Sequence, residues 1–148
     1  MIDLTTPIIP YEGTGIFRFS ESYETIKNKL NELKIPYSEE IWDGTGYEIQ
    51  WTVITVEESV RLFFAKNKLF KIILQNNFKG SLPNGINLDT DIEEAQEIDE
   101  TLMFNDWDEI FESDNGYWVE DNLDTKKLLS ISIFIPAVER DDFYEYNW

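Results

Sequence analysis

The first regular pattern of hydrophobic and polar positions in the chain has the period of an α-helix. After Ser20 the apolar positions fall on one helical face: Tyr23, Ile26, Leu30 and Leu33. Pro36 follows them, and proline removes a backbone donor and ends helices. The pattern predicts one helix between Ser20 and Pro36.

Period-two alternation, which is typical of a strand with one buried face, follows this helix. It begins with the apolar positions Tyr47, Ile49, Trp51 and Val53. Two further runs flank a polar turn at Lys66 and Asn67, and their predicted inward positions are Val60, Leu62 and Phe64, then Phe70, Ile72 and Leu74. These two runs predict a β-hairpin. Residues 79 to 85 contain Gly, Pro and Asn and predict a linker.

The same order of elements starts again after the linker. Thr90, followed three residues later by Glu93, has the spacing of a capping box and predicts a shorter second helix through Ile98. Strands are predicted at residues 107 to 112, 117 to 120 and 128 to 135, with an Asp-Asn-Gly turn before the second of them. Residues 127 to 133 repeat the pattern of residues 68 to 74. The two halves therefore predict a tandem repeat.

These patterns predict a single α+β domain over residues 1 to 148. It has two half-repeats, about residues 15 to 78 and 85 to 135, each a helix followed by antiparallel strands. Their strands form one sheet with the helices on one face. An extended N-terminal arm precedes the repeats, and an acidic-aromatic segment follows them. The alternative is one ordinary α+β domain whose two halves merely contain similar hairpins.

In the repeat arrangement the second face of the sheet stays open. Alternation assigns to it the outward positions of the strands, which are Glu48, Gln50, Thr52, Arg61, Phe63, Lys71, Ile73, Trp118, Glu120, Ser130, Ser132 and Phe134.

The charge of the chain divides unevenly between its two halves. The net charge is −18. Residues 1 to 88 hold 11 acidic and 9 basic residues, whereas residues 89 to 148 hold 19 and 3, so that the net charges are −2 and −16. Such a field repels nucleic acid and anionic membranes and attracts basic proteins. A surface that is acidic only for solubility is the alternative.

Aromatic residues distinguish the acidic half from a disordered tail. Residues 89 to 124 hold 15 acidic residues and no Lys or Arg, but also Phe104, Trp107, Phe111, Tyr117 and Trp118. Disordered acidic segments are poor in such residues. Aromatic anchors inside an acidic rim suit docking on a basic protein. The predicted partner-binding residues are Asp106, Trp107, Asp108, Glu112, Tyr117, Trp118, Glu120 and Asp121.

The composition disfavours most catalytic chemistry. The chain has no Cys and no His, so thiol nucleophiles, imidazole bases and their metal ligands are absent. With 30 acidic residues, close carboxylate pairs such as Asp106 and Asp108 are expected by chance, and no phosphate-binding Gly-rich loop occurs. We therefore predict no enzyme activity, no cofactor and no metal. The N-terminal residues lack the pattern of a signal peptide, which predicts a cytoplasmic protein.

Two segments resemble a known class of proteins. The sequence Pro-Ile-Ile-Pro with Gly-x-Gly-Ile before the first helix, and Lys-Leu-Leu-Ser-Ile-Ser-Ile-Phe near the end, resemble the tandem helix-plus-sheet repeat of β-lactamase-inhibitory proteins. They also resemble immunity proteins of polymorphic or contact-dependent bacterial toxin systems. The resemblance implies an inhibitor that presents a sheet surface or its loops to an enzyme. The lack of Cys differs from disulfide-bearing secreted inhibitors and favours the cytoplasmic immunity type.

The predicted function is an immunity-type inhibitor that binds and occludes a basic protein toxin, such as a nuclease. One alternative is a small-ligand-binding or enzymatic domain that uses the concave sheet as its pocket. The other is an acidic structural or adaptor module.

Overall fold

The computed structural model describes residues 1–42, 50–140 and 143. These residues form an eight-stranded sheet, a three-stranded sheet and two short α-helices, in a β-sandwich-like arrangement. The predicted α+β fold of helix-then-strand repeats is therefore wrong. The helical patterns extend over only 10 and 7 residues, and segments read as arm or loop form strands instead. The division of one domain into two half-repeats stays a prediction.

The segment predicted as an extended arm forms the first two strands of the three-stranded sheet, and the start of the first predicted half-repeat forms the third. The strands of this sheet are β1 (Ile8–Ile9), β2 (Gly13–Thr14) and β3 (Phe17–Arg18), which pair antiparallel in that order. Gly13 has φ +133°, and a Cβ there would lie 2.1 Å from the Phe17 carbonyl oxygen. Only glycine permits so close a return of the backbone. Ile8 is fully buried, which anchors this small sheet to the core.

The eight-stranded sheet consists of β4 (Tyr37–Trp42), β5 (Trp51–Val56), β6 (Val60–Ala65), β7 (Lys68–Gln75), β8 (Met103–Asn105), β9 (Ile110–Glu112), β10 (Tyr117–Asp121) and β11 (Leu128–Phe134). All neighbours pair antiparallel in the order β4-β5-β6-β7-β11-β10-β9-β8. The central pair is therefore β7 and β11, and the edges are β4 and β8. Of the strand predicted from Tyr47, residues 43–49 lie outside the described residues, and β5 begins at Trp51.

The predicted hairpin and the first helix are confirmed. Strands β6 and β7 flank Lys66 and Asn67, whose positive φ values of 52° and 63° match the two-residue turns that connect hairpins. Helix α1 (Tyr23–Glu32) begins after Ser22, whose Oγ accepts a hydrogen bond from Thr25 N at 3.2 Å.

Helix α2 (Ile92–Ile98) begins differently from the prediction. Its N-cap residue is Asp91, and no side chain caps it. The Thr90 hydroxyl instead accepts a hydrogen bond from Asn87 N at 3.1 Å within the preceding turn. The predicted capping box is wrong because the Thr90 hydroxyl accepts a hydrogen bond from Asn87 N and not from the backbone of the helix.

One hydrophobic core lies on the first face of the eight-stranded sheet. It contains buried residues of both helices and of the N-terminal segment, together with one side of the strands: among them are Ile8, Phe17, Ile26, Leu30, Ile92, Ala95, Ile54, Leu62, Ile72 and Ile131. Each fully buried aliphatic side chain of this kind stabilises the fold by about 2 kcal/mol. This core covers the first face along the strands named here.

Because of a β-bulge, the residues of β7 that face the first core differ from the predicted ones. The register shifts between Phe63 and Phe64, so that Leu69 enters the first-face core and Phe70 turns to the second face. A second shift lies between Glu120 and Asp121 in β10. Leu128 is buried opposite it, whereas Leu129 is 45% exposed. A bulge adds one residue to one strand and reverses the alternation beyond it.

The second face of the sheet is partly covered, whereas the sequence predicted it to be open. A 3₁₀ helix (Pro136–Glu139) and Phe143 pack on it, and they form a second cluster of Val53, Phe63, Ala65, Phe70, Ala137 and Phe143. Phe63, predicted to be outward and open, is buried in this cluster, and Phe134, also predicted to be outward, is buried against the Trp118 ring. The uncovered remainder of this face forms a groove.

Candidate functional site

The first candidate feature is the turn between β8 and β9. Residues 106 to 109 form this turn, so the strand predicted to begin at Trp107 begins only at Ile110. Asn105 causes the difference: its Oδ1 accepts hydrogen bonds from Trp107 N at 2.9 Å and from Asp108 N at 3.4 Å. Asn commonly reverses the chain in this way. As a result, the Trp107 side chain projects from the tip and is 95% exposed.

The base of this hairpin is held by side chains as well as by the backbone. Asn105 Nδ2 donates to Glu112 Oε1 at 2.5 Å. The Phe104 and Phe111 rings pair with their centroids 5.1 Å apart. Glu109 N donates to Asn105 O at 2.8 Å and closes the turn. Trp107 is therefore presented on an ordered tip, with Asp106, Asp108 and Glu109 around it.

The second candidate feature is the groove on the second face, with a volume of about 460 Å³. Three of the predicted partner-binding residues line it: Asp108, Trp118 and Glu120. Its other lining residues are Trp51, Phe70, Lys71, Ile73, Ile110, Val119, Ser130, Ser132, Val138, Arg140 and Phe143. Eight of its 14 lining residues are apolar and six are polar or charged, so the groove offers both apolar contacts and polar groups to a small molecule.

Lys71 is the titratable group on the floor of this groove. Its Nζ lies 5.1 Å from the centroid of the Phe63 ring and 5.5 Å from that of Trp118. Burial lowers the pKa of Lys71 to about 8, with repulsion from Arg61 adding to the effect and Asp108 opposing it. The sequence predicted Lys71 only as an outward position. A lone basic residue in the apolar run of β7 is the signal that could have identified it.

Tyr117 differs from the other predicted partner-binding residues, because it is 1% exposed and faces the first core. Its hydroxyl donates to Asp99 Oδ2 and accepts from Asn84 Nδ2 at 3.2 Å. Burial, together with the hydrogen bond to Asp99, raises the pKa of Tyr117 to about 12. Contrary to the prediction, Tyr117 is therefore not accessible to a partner.

Asp99 is the centre of a buried polar cluster that sequence reasoning missed. Its carboxylate accepts hydrogen bonds from Ser113 Oγ and Thr101 Oγ1, both at 2.6 Å, and from Asn115 Nδ2 at 3.1 Å, in addition to Tyr117. Burial by itself raises the pKa of Asp99, but these donors outweigh burial and hold the pKa well below its usual value. The acceptor sites are filled, so the cluster has a structural role. Nothing in the sequence pattern distinguished Asp99 from its acidic neighbours.

The predicted partner-binding residues thus divide into groups. Asp106, Trp107 and Asp108 lie at the hairpin tip, and Glu112 holds Asn105 at its base. Trp118 and Glu120 line the groove beside Asp108, and Asp121 lies at the register shift that ends β10. The groove reaches the hairpin tip at Asp108, so the two features adjoin.

Two further findings concern residues 1–42, 50–140 and 143. In this part of the chain, no three acidic side chains are grouped in a way that would hold a metal ion. No helix there has the length and apolar character that crossing a membrane requires.

Comparisons with known proteins found only partial similarity. No protein-family model matches the chain, and no solved structure matches it significantly. P2X receptor C of Dictyostelium discoideum is 33% identical over 73 residues, and P2X receptor B of the same organism is 30% identical over 73 residues. Each similarity covers 49% of this chain and 20% of the receptor, so the chain spans about a fifth of the length of these curated relatives. The resemblance to immunity proteins stays a prediction.

Proposed function

We propose that this protein is an immunity-type inhibitor that binds a basic protein toxin, such as a nuclease, and blocks it by occlusion. The observation that carries the proposal is the 95% exposed Trp107 on an ordered, acidic hairpin tip. A fully exposed Trp exposes a large apolar surface to water, and Trp is among the residues most enriched at the energetic centres of protein interfaces.

The ordered tip favours binding because little conformational freedom is left to lose. Asn105 already holds the backbone of Trp107 and Asp108, and Glu112 holds Asn105. Preorganisation of this kind raises affinity by lowering the entropy cost of association.

The charge around the tip defines the chemistry of the partner. Asp106, Asp108 and Glu109 surround Trp107, and residues 89 to 148 carry a net charge of −16. A nuclease binds phosphates with Lys and Arg, so an acidic surface competes for the same groove. Opposite charges on the two proteins also accelerate their association at low salt.

The test uses the purified chain and the toxic domain encoded beside its gene. We expect Trp107→Ala to weaken binding about 30-fold or more in calorimetry, because the ring leaves a partner pocket empty. The matched control is Leu123→Ala, since Leu123 is also apolar, 86% exposed and placed on an acidic turn, but between β10 and β11. Equal affinity of the Trp107→Ala variant and the unaltered chain would contradict the role of the tip.

A second measurement distinguishes an inhibitor from an acidic adaptor module. The variant with Asp106, Asp108, Glu120 and Asp121 changed to their amides should associate with the toxin about tenfold more slowly at low salt, and less so at high salt. Unchanged association would favour an acidity that serves solubility. The absence of enzyme activity and the cytoplasmic location stay predictions alongside this proposal.

A further inference from the structure

The Lys71 ammonium group lies in the groove and forms no salt bridge with any of the described carboxylates. Among the described residues it forms no salt bridge and no hydrogen bond, and its neighbours are the Phe63 and Trp118 rings. Lys29, by contrast, pairs with Glu21 at 2.5 Å. A largely buried charge is unfavourable unless it is paired. In a chain with 30 acidic residues, an unpaired lysine in a groove indicates a place for an external anion.

Two hydroxyl groups add hydrogen-bonding capacity beside Lys71. Ser130 and Ser132 lie on β11, each is 9% exposed, and neither hydroxyl has a hydrogen-bond partner among the described residues. Ser132 pairs with Ile73 of β7 and with Trp118 of β10, which places it diagonally across from Lys71 on the same face of the sheet. These hydroxyls are available to an oxyanion held at Lys71.

The remaining walls of the groove define the body of the ligand. Trp118, Ile73 and Phe143 are apolar, and a volume of about 460 Å³ lies within the usual range of small-molecule sites. Asp108 and Glu120 on the rim disfavour a second negative charge. The walls therefore suit a flat, apolar body that carries one negative charge.

We infer that this groove binds a small, flat monoanion, with its acidic group on Lys71 and Ser132 and its apolar body against Trp118. A carboxylate on an aromatic ring has this chemistry. The inference goes beyond the proposed inhibitor function: the two share Asp108 and Glu120, but the anion site rests on Lys71 and Ser132 of the second face and not on Trp107.

The probe for the test is naphthoate, titrated into the full chain and followed by calorimetry and tryptophan fluorescence. We expect naphthoate to bind about tenfold or more tightly than neutral naphthamide or cationic naphthylmethylammonium, because only the carboxylate pairs with Lys71. Naphthyl phosphate, with its second charge, should bind more weakly than naphthoate. Equal binding of naphthamide, or no binding of naphthoate, would overturn the inference, and tighter binding of the phosphate would overturn the monoanion preference.

Variants connect the binding to named residues. Lys71→Met should lower naphthoate affinity about tenfold or more, and Ser132→Ala should lower it less. The matched control is Lys27→Met, because Lys27 also lies over an aromatic ring, at 5.0 Å from Tyr23, but on α1. Circular dichroism verifies that each variant is folded. Unchanged affinity of a folded Lys71→Met variant would contradict the site.

The pH dependence gives an independent readout. Among the described residues, the charged groups near Lys71 are Arg61 on β6, Asp108 on the β8–β9 turn, Glu120 on β10 and Arg140 after the 3₁₀ helix. Because its pKa is about 8, Lys71 loses its proton near pH 8. Naphthoate affinity should therefore fall above about pH 8, and Lys71→Met should remove this fall. Trp107→Ala should leave naphthoate binding unchanged, which separates failure of this site from failure of the inhibitor proposal.

Discussion

Two ionisable groups in the described part of the chain, Asp99 and Lys71, lie in opposite environments. Asp99 accepts hydrogen bonds from Ser113, Thr101, Asn115 and Tyr117, whereas the Lys71 ammonium lies over the rings of Phe63 and Trp118 and has no hydrogen bond or salt bridge among the described residues. Their pKa shifts reflect this difference. Both are lowered, but hydrogen bonds favour the charged form of Asp99 while burial disfavours that of Lys71. A buried charge that is hydrogen-bonded, such as that of Asp99, stabilises the fold. A buried charge without hydrogen bonds, such as that of Lys71, indicates a position where an external ligand can bind.

The strongest test of this comparison is Asp99→Ala. It leaves the Tyr117, Ser113 and Thr101 hydroxyls without their shared acceptor, so we expect a loss of about 3 kcal/mol in the free energy of unfolding. Urea denaturation at neutral pH measures it, and Asp124→Ala, at an exposed position, is the control. A loss below about 1 kcal/mol would show that the cluster contributes little to stability.

The hydrogen-bonded cluster around Asp99 predicts that the stability of the protein depends on pH in the acidic range. The pKa of Asp99 is lower in the folded than in the unfolded protein, so its stabilisation is complete above the unfolded pKa of about 3.9. That stabilisation is lost as the pH falls from this value through the folded pKa. The difference in stability between the unaltered chain and Asp99→Ala should therefore narrow in this acidic range.

Lys71→Met should change the free energy of unfolding in the opposite direction to Asp99→Ala. Burial lowers the folded pKa of Lys71 to about 8, below its unfolded value of about 10.4, and the unfolded chain binds more protons between these values. The destabilisation by Lys71 is complete below about pH 8 and declines as the pH rises toward 10.4. We expect Lys71→Met to raise the free energy of unfolding at pH 7 by up to about 2 kcal/mol.

The control for this stability measurement is Lys79→Met, since Lys79 is exposed. Paired denaturation curves at pH 7 and pH 10 should show the advantage of Lys71→Met shrinking at the higher pH. A destabilised Lys71→Met variant would show instead that the contacts of Lys71 with the rings outweigh the cost of its burial.

The smallest expected effect concerns the hairpin tip. Asn105→Ala removes the side chain that orders the Trp107 turn, with an expected loss of about 1 kcal/mol in stability and about threefold to tenfold in toxin affinity. Asn122→Ala is a closely matched control, because Asn122 Oδ1 accepts from Asp124 N and Thr125 N in the β10–β11 turn. A similar stability loss with unchanged affinity is expected for it. Equal losses of toxin affinity in Asn105→Ala and Asn122→Ala would show that the loss comes from a general decrease in stability and not from the Trp107 turn.

Hydrophobic periodicity predicted much of the secondary structure but not its edges. Helix α1 and the β6–β7 hairpin follow from regular patterns, and so do the central strands β10 and β11. The edge strands β4 and β8 were not predicted, because edge positions such as Glu39 and Met103 face solvent and need no buried alternation. The bulge at Phe63 and Phe64 could not be predicted either. The run around Phe70 is apolar at consecutive positions, so the pattern does not show where the alternation changes.

The candidate site was predictable in composition and not in arrangement. The interleaved aromatic and acidic residues indicated the region around Trp107 and Trp118. Tyr117 lies in the core because its side of β10 faces Asp99, to which its hydroxyl donates a hydrogen bond. Asp99 lies 18 positions earlier in the chain. The role of Lys71 depends on the rings of Phe63 and Trp118, which come from different strands.

By itself, the sequence determined the local periodicities, the turns at Asn67 and Gly116, and the separation of a nearly neutral half from an acidic one. These are properties of neighbouring residues and of composition, which need no knowledge of distant contacts. Only the tertiary structure decided that the Trp107 turn projects, that Asp99 is hydrogen-bonded, and that Lys71 lies in a groove without a salt bridge to the described carboxylates. Each of these depends on contacts or on burial in the folded chain, which no local pattern encodes.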